Sequence, residues 1–274
     1  MKRILIGSAV VVSLLSATSA FAADLAARPY TKAPVYVEPV YNWTGFYIGG
    51  NVGYSWGRSR DTATLANGAG TILFTDTASR NMDGIVGGGQ IGYNWQVQNW
   101  LWGLEADFQG TDQKASRDFI CPTGICTPPF GVIAVFPGPA VPVSLNQRLD
   151  WFGTFRGRVG VLASPKVLLY ATGGLAYGDV ETSATIAGLG TATSSNTRVG
   201  WTVGGGVEGA IGGNWTAKLE YLYMDLGRTS GTFATTVGAL GGGTLVSSYN
   251  SRITDNILRV GVNYRFGGPV VARY

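Results

Sequence analysis

Between Trp43 and Phe266 the chain alternates, residue by residue, between apolar side chains and small or polar ones, and it does so in eight separate segments. A period of two is the signature of a strand with two unlike faces. In the first segment Phe46, Ile48, Val52, Tyr54 and Trp56 share one face, against Tyr47, Gly49, Asn51, Gly53 and Ser55. In the last, Leu258, Val260, Val262, Tyr264 and Phe266 oppose Arg259, Asn263 and Arg265. The other six centre on Ile85–Trp95, Trp102–Phe108, Trp151–Val161, Val167–Tyr177, Val199–Ile211 and Trp215–Tyr223. Each has roughly 10–14 residues, enough for a tilted strand to cross a bilayer.

The connections narrow the fold further. Those near Val97–Asn99, Ala163–Lys166 and Gly212–Asn214 are short, while those over 58–82, 112–147, 179–197 and 226–254 are long. Strict alternation of short turns and long loops is expected of an all-β, eight-stranded antiparallel up-and-down transmembrane β-barrel. A soluble sandwich has no reason for it. The long connections are read as extracellular loops and the short ones as periplasmic turns, which puts both termini in the periplasm. Aromatic residues then fall into two bands. Trp43, Trp95, Trp100, Trp215, Tyr264 and Phe266 lie near the short-turn end; Trp56, Phe108, Trp151, Tyr177, Trp201 and Tyr223 lie near the long-loop end. Amphipathic rings prefer the two membrane interfaces.

The N-terminus carries an export address. Lys2 and Arg3 precede the apolar run Ile4–Leu15, and small residues lead to Ala20-Phe21-Ala22. This is the layout of a signal peptide over residues 1–22, with Ala20 and Ala22 in an A-x-A cleavage site. Residues 23–42, with Pro29, Pro34 and Pro39, read as a periplasmic linker. The barrel covers 43–266, and 267–274 form a short tail.

Composition excludes several classes. Taking Lys2 and Arg3 from 20 basic residues leaves 18 against 16 acidic ones, so there is no basic face for nucleic acid. No His is present, which removes the usual general base, and the chain is read as a non-enzyme with no cofactor. Cys121 and Cys126 read most naturally as a local disulfide in an oxidising compartment; two thiols alone are short of a metal site. Gly87–Gly92 and Gly204–Gly209 match G-x-G-x-x-G, but they lie inside alternating strands and not between a strand and a helix. There, glycine makes room for bulky neighbours.

The inward faces carry Glu105, Asp107, Glu208 and Glu220 together with Arg156, Arg158, Arg198, Lys218, Arg259 and Arg265. An eight-stranded barrel is only wide enough to be filled by side chains, and unpaired buried charge is costly. These residues are expected to form a structural plug of ion pairs; a narrow gated ion path is the functional alternative. Partners are then outer-membrane lipids and lipopolysaccharide, with the loops left as the place for a host or surface ligand.

Three runs resemble a known family. Trp43-Thr44-Gly45-Phe46-Tyr47-Ile48-Gly49-Gly50-Asn51-Val52-Gly53-Tyr54 looks like the opening strand of the alphaproteobacterial Omp25/Omp31-type outer-membrane proteins. Leu169–Gly178 and Val260-Gly261-Val262-Asn263-Tyr264-Arg265-Phe266 resemble later strands of that family. The resemblance implies an abundant porin-like surface barrel that supports envelope integrity and host contact. Leu258–Phe266, which closes on Phe266 after Tyr264, also looks like the C-terminal assembly signal of outer-membrane barrels read by the insertion machinery, with Tyr274 as an alternative terminal aromatic. Some relatives are described as hemin-binding, but this chain has no His and no motif that identifies an axial Tyr.

Overall fold

The computed structural model describes residues 41–121, 124–126, 134–136, 141–186, 190–237 and 243–266. The expected signal peptide with Ala20 and Ala22, nearly all of the expected linker, the side chains of Cys121 and Cys126, and the tail 267–274 fall outside the described residues.

Eight long strands close into a barrel: β1 (Gly45–Asn67), β2 (Ile72–Val97), β3 (Trp100–Cys121), β6 (Val141–Ser164), β7 (Val167–Ile186), β8 (Gly190–Gly212), β9 (Trp215–Val237) and β10 (Gly243–Phe266). A small hairpin, β4 (Gly124–Cys126) with β5 (Ala134–Phe136), lies between β3 and β6. Every barrel strand pairs antiparallel with its neighbours, and β1 pairs with β10 from Phe46↔Phe266 to Asn67↔Leu245, which closes the ring. Closure removes the open sheet edges that a membrane would not tolerate.

The period of two becomes an inside and an outside. On β1, Ile48, Val52, Tyr54 and Trp56 are exposed to the surroundings while Tyr47 and Ser55 are buried in the lumen. The same parity holds on β10, where Leu258, Val260 and Val262 face out and Ile257, Arg259 and Asn263 face in. An apolar exterior over a polar interior is the arrangement that lipid demands. Val260→Arg would place a charge on the lipid face opposite Val52. It is expected to cost about 2–4 kcal/mol of unfolding free energy in a bilayer. Urea titration of the barrel in vesicles checks this, and a cost near zero would count against lipid contact at that face.

The aromatic belts show one correction. Trp95, Trp100, Trp215 and Phe266 are exposed at the short-turn end, but Trp43 is almost wholly buried. Its indole Nε1 donates to Pro165 O at 3.2 Å, and its ring packs with Leu101, Leu168 and Tyr170. Trp43 caps the end of the lumen because it lies just before β1, where the chain has not yet entered the sheet.

The long connections differ from expectation more strongly. Over the described residues they are largely continuations of the strands. β1 runs on to Asn67 and turns over Gly68–Thr71 into β2, with Gly70 at φ +82° and its N–H donating to Asn67 O at 2.9 Å. Beyond the belt the outer face no longer needs apolar side chains, so the alternation fades. Thr and Val still favour strands there. The ring also splits at this end. β2–β3 pairing reaches no further than Asp83↔Lys114, and β8–β9 pairing no further than Trp201↔Asp225. Past those points the described strands form two four-stranded curtains, β2-β1-β10-β9 and β3-β6-β7-β8.

Candidate functional site

The register sets opposite charges side by side across neighbouring strands. Glu105 of β3 stands opposite Arg156 of β6, Glu208 of β8 opposite Lys218 of β9, and Glu220 of β9 opposite Arg259 of β10. The inward parity of all five strands then drives these side chains to one level of the lumen.

Contacts across the lumen are closer still. Arg156 bonds Glu105, reaches Asp107 at 2.8 Å, and reaches Glu220 on β9 at 3.2 Å. Arg259 lies 2.6 Å from Glu220 and 2.9 Å from Asp107. Arg158 lies 2.7 Å from Glu208. Lys218 lies 3.1 Å from Glu105, although β9 and β3 stand on opposite sides of the ring. Four carboxylates meet four cations, and each of the eight residues is at most 5% exposed.

Neutral side chains fill many of the remaining valences, though Asp107 Oδ1, Arg156 Nε, Arg158 Nε and Arg259 Nη1 have no hydrogen-bond partner among the described residues. The Tyr47 hydroxyl donates to Glu105 at 2.7 Å and accepts from Arg158 at 3.0 Å. Tyr170 donates to Glu220 at 2.9 Å, and its ring lies under the Arg158 guanidinium, 4.1 Å away. Thr154 donates to Asp107, and Thr216 and Asn263 donate to Glu208. Such satisfaction is what makes a buried charge cluster tolerable. Two glycines of the G-x-G-x-x-G runs allow it. A Cβ on Gly92 would strike the Tyr47 ring, and one on Gly206 would come within 2.9 Å of the Tyr170 hydroxyl.

Two of the ten charges expected to face inward lie outside this cluster. Arg198 sits nearer the curtains, with Ser251 Oγ at 3.4 Å from its Nη2. Arg265 sits at the opposite end, donating to the backbone oxygens of Asn42 and Thr44 and covering the Tyr41 ring at 4.5 Å. Both face inward as their parity requires, but each strand runs several residues along the barrel axis, so they reach other levels. Tyr264 and Phe266 face outward on the seam strand, with Phe266 against Phe46 and Tyr264 against Trp215, at ring separations of 5.7 Å and 5.1 Å.

One layer escaped the reading of the residues. Above the charges, toward the curtains, Leu222, Met224, Phe152, Ala176, Val86 and Ile257 form an apolar core inside the lumen. A signal for it does exist: in Trp151-Phe152, Tyr221-Leu222-Tyr223-Met224 and Ile257-Leu258 both parities are apolar. That pattern marks a strand buried on two sides, here by lipid and by lumen.

A closed ring with an apolar exterior, two aromatic belts and a lumen filled by ion pairs defines a membrane β-barrel. A family model described as an outer membrane protein beta-barrel domain matches residues 8–266, and the chain belongs to that family. It is an outer-membrane protein of the Gram-negative envelope. The 31 kDa outer-membrane immunogenic protein of Brucella melitensis is 33% identical over 274 residues, covering 97% of this chain and 100% of its own length. The 22 kDa outer membrane protein of Rhizobium leguminosarum is 33% identical over 71% of this chain and 68% of its own length. The 25 kDa outer-membrane immunogenic protein of Brucella abortus is 29% identical over 97% of this chain and 99% of its own. These relatives carry the names of outer-membrane or immunogenic proteins, not of enzymes. Among solved structures, the outer membrane protein OprG of Pseudomonas aeruginosa is 12% identical, with a TM-score of 0.45 and coverage of 84% of this chain and 100% of that one.

Proposed function

We propose that this protein is a structural and surface barrel that strengthens the envelope and works through its hairpin curtains, with a lumen closed to solutes. One observation carries the reading: Lys218 and Glu105, from strands on opposite sides of the ring, meet at 3.1 Å inside a neutral cluster of eight charges. The apolar layer stacked on that cluster supports it, because the few polar groups at that level, Ser55, Gln113 and Asp255, already bond one another, and an ion crossing there would lose most of its water. The curtains would face outward and the short turns the periplasm. The signal-peptide pattern read over residues 1–22 and the short turns at one end support that orientation.

Planar-bilayer recording of the purified barrel is expected to show no stable openings, and liposomes carrying it should not swell in small sugars. Steady conductance or rapid sugar entry would overturn the closed-lumen reading in favour of a narrow porin. Orientation is checked separately with an epitope inserted at Gly68 or at Gly213. Antibody should stain intact cells only for the Gly68 insertion.

A further inference from the structure

The outer face of one curtain carries a row of arginines. Arg60 of β1 stands opposite Arg252 of β10, and Arg252 stands opposite Arg228 of β9. Arg58 lies two residues nearer the membrane on the same face. Between them Ser59, Asp61, Ser251 and Ile253 are buried toward the lumen, so the arginines point away from it. Arg58, Arg60 and Arg228 are exposed, and Arg252 is half-buried. Trp56 marks the aromatic belt on β1, so Arg60 stands roughly 13 Å further along the strand, at headgroup depth.

Carboxylates do not balance this row. Asp225 accepts from Arg252 Nε at 3.1 Å. Asp61 points inward and pairs with Arg80. Asp83 lies opposite Trp56, a diagonal step from Arg58. Among the described residues Arg58, Arg60 and Arg228 form no ion pair. Like charges directly opposite each other on a sheet destabilise it unless an anion joins them. Immediately above the row, Thr62, Thr64, Ser230, Thr232, Ser248 and Asn250 line a shallow depression of about 220 Å³.

We infer that this face binds the phosphorylated sugar headgroup of an outer-leaflet glycolipid, with phosphate on the arginine row and sugar against the hydroxyl shelf. Guanidinium groups match phosphate bidentately and stay charged at any pH the cell meets. A shelf of six hydroxyl and amide side chains suits a sugar better than the glycerol of a phospholipid. The inference rests on the orientation proposed above, which places this curtain in the outer leaflet.

The test uses the folded full-length barrel in detergent micelles, titrated with diphosphoryl lipid A, monophosphoryl lipid A and inorganic phosphate. The variant R58Q/R60Q/R228Q leaves Arg252 to Asp225. Wild type is expected to bind diphosphoryl lipid A saturably, and the variant roughly tenfold or more weakly. Monophosphoryl lipid A should fall between. Equal affinity in the variant, or no saturable binding by wild type, would overturn the assignment. Inorganic phosphate binding as tightly as lipid A would make this a soluble-anion site and also sink it. Heat-modifiable gel migration confirms that the variant is folded; if it is not, R60Q alone is expected to weaken binding measurably, and no change would reject the row. The epitope experiment reports orientation independently, so a periplasmic curtain would fail the functional reading without altering the micelle titration.

Discussion

Arg156→Met is expected to cost the barrel about 3–5 kcal/mol of unfolding free energy, because it removes one of the two cations that Glu105, Asp107 and Glu220 share in a buried site and leaves Arg259 as the other. The Arg156 side chain has no exposed surface, so water cannot take its place without opening the lumen. Urea titration in lipid vesicles measures the loss. Adding Glu105→Gln should return part of it, since the double variant removes one of the stranded charges with the cation. A cost under about 1 kcal/mol would show that the cluster is solvated and the plug loose. The same variant is a sensitive probe of closure: if Arg156 helps to seal the lumen, its loss should bring channel openings that wild type lacks.

Phe152→Ala tests the apolar layer. Phe152 is fully buried inside the lumen, among Leu149, Ala176 and their neighbours. Truncation leaves a cavity that a closed barrel cannot collapse, and an expected loss of about 3–5 kcal/mol. Phe155, three residues further on, is 52% exposed and faces out. Phe155→Ala should cost clearly less, because lipid fills the space that it vacates. Equal costs for the two would mean that the inward layer does not pack as a core. Both are read from the same unfolding titration, with gel migration as a check that each variant folds.

These two residues also show how far the chain could be read unaided. Arg156 was legible as an inward charge, because Phe155 and Arg156 have opposite character on alternating positions. Phe152 was not, because its neighbour Trp151 is equally apolar and the period of two vanishes when both faces are buried. The strand extensions were hidden for the complementary reason. From Arg58 to Asn67 both faces are polar enough that no alternation marks the strand, yet β1 continues through them. Trp43 was misplaced because it precedes the first paired residue, where parity has no meaning.

The arginine row illustrates the limit most clearly. Arg58 and Arg60 lie nearly two hundred residues from Arg252 in the chain, and nothing local joins them. Only the seam between β1 and β10 makes Arg60 and Arg252 neighbours, and only β9 adds Arg228. The same holds for Lys218 and Glu105 across the lumen.

The class of fold, the number of barrel strands and the inward direction of the central charges were legible in the amino-acid sequence alone. Those follow from the two-residue repeat of extended backbone and from the energy of apolar surface in lipid, which are local properties. Which charges meet, where the ring splits into curtains and how the apolar residues pack together inside the lumen became visible only in the folded barrel. Each of these depends on strand register and ring closure, which bring together residues that no local pattern connects.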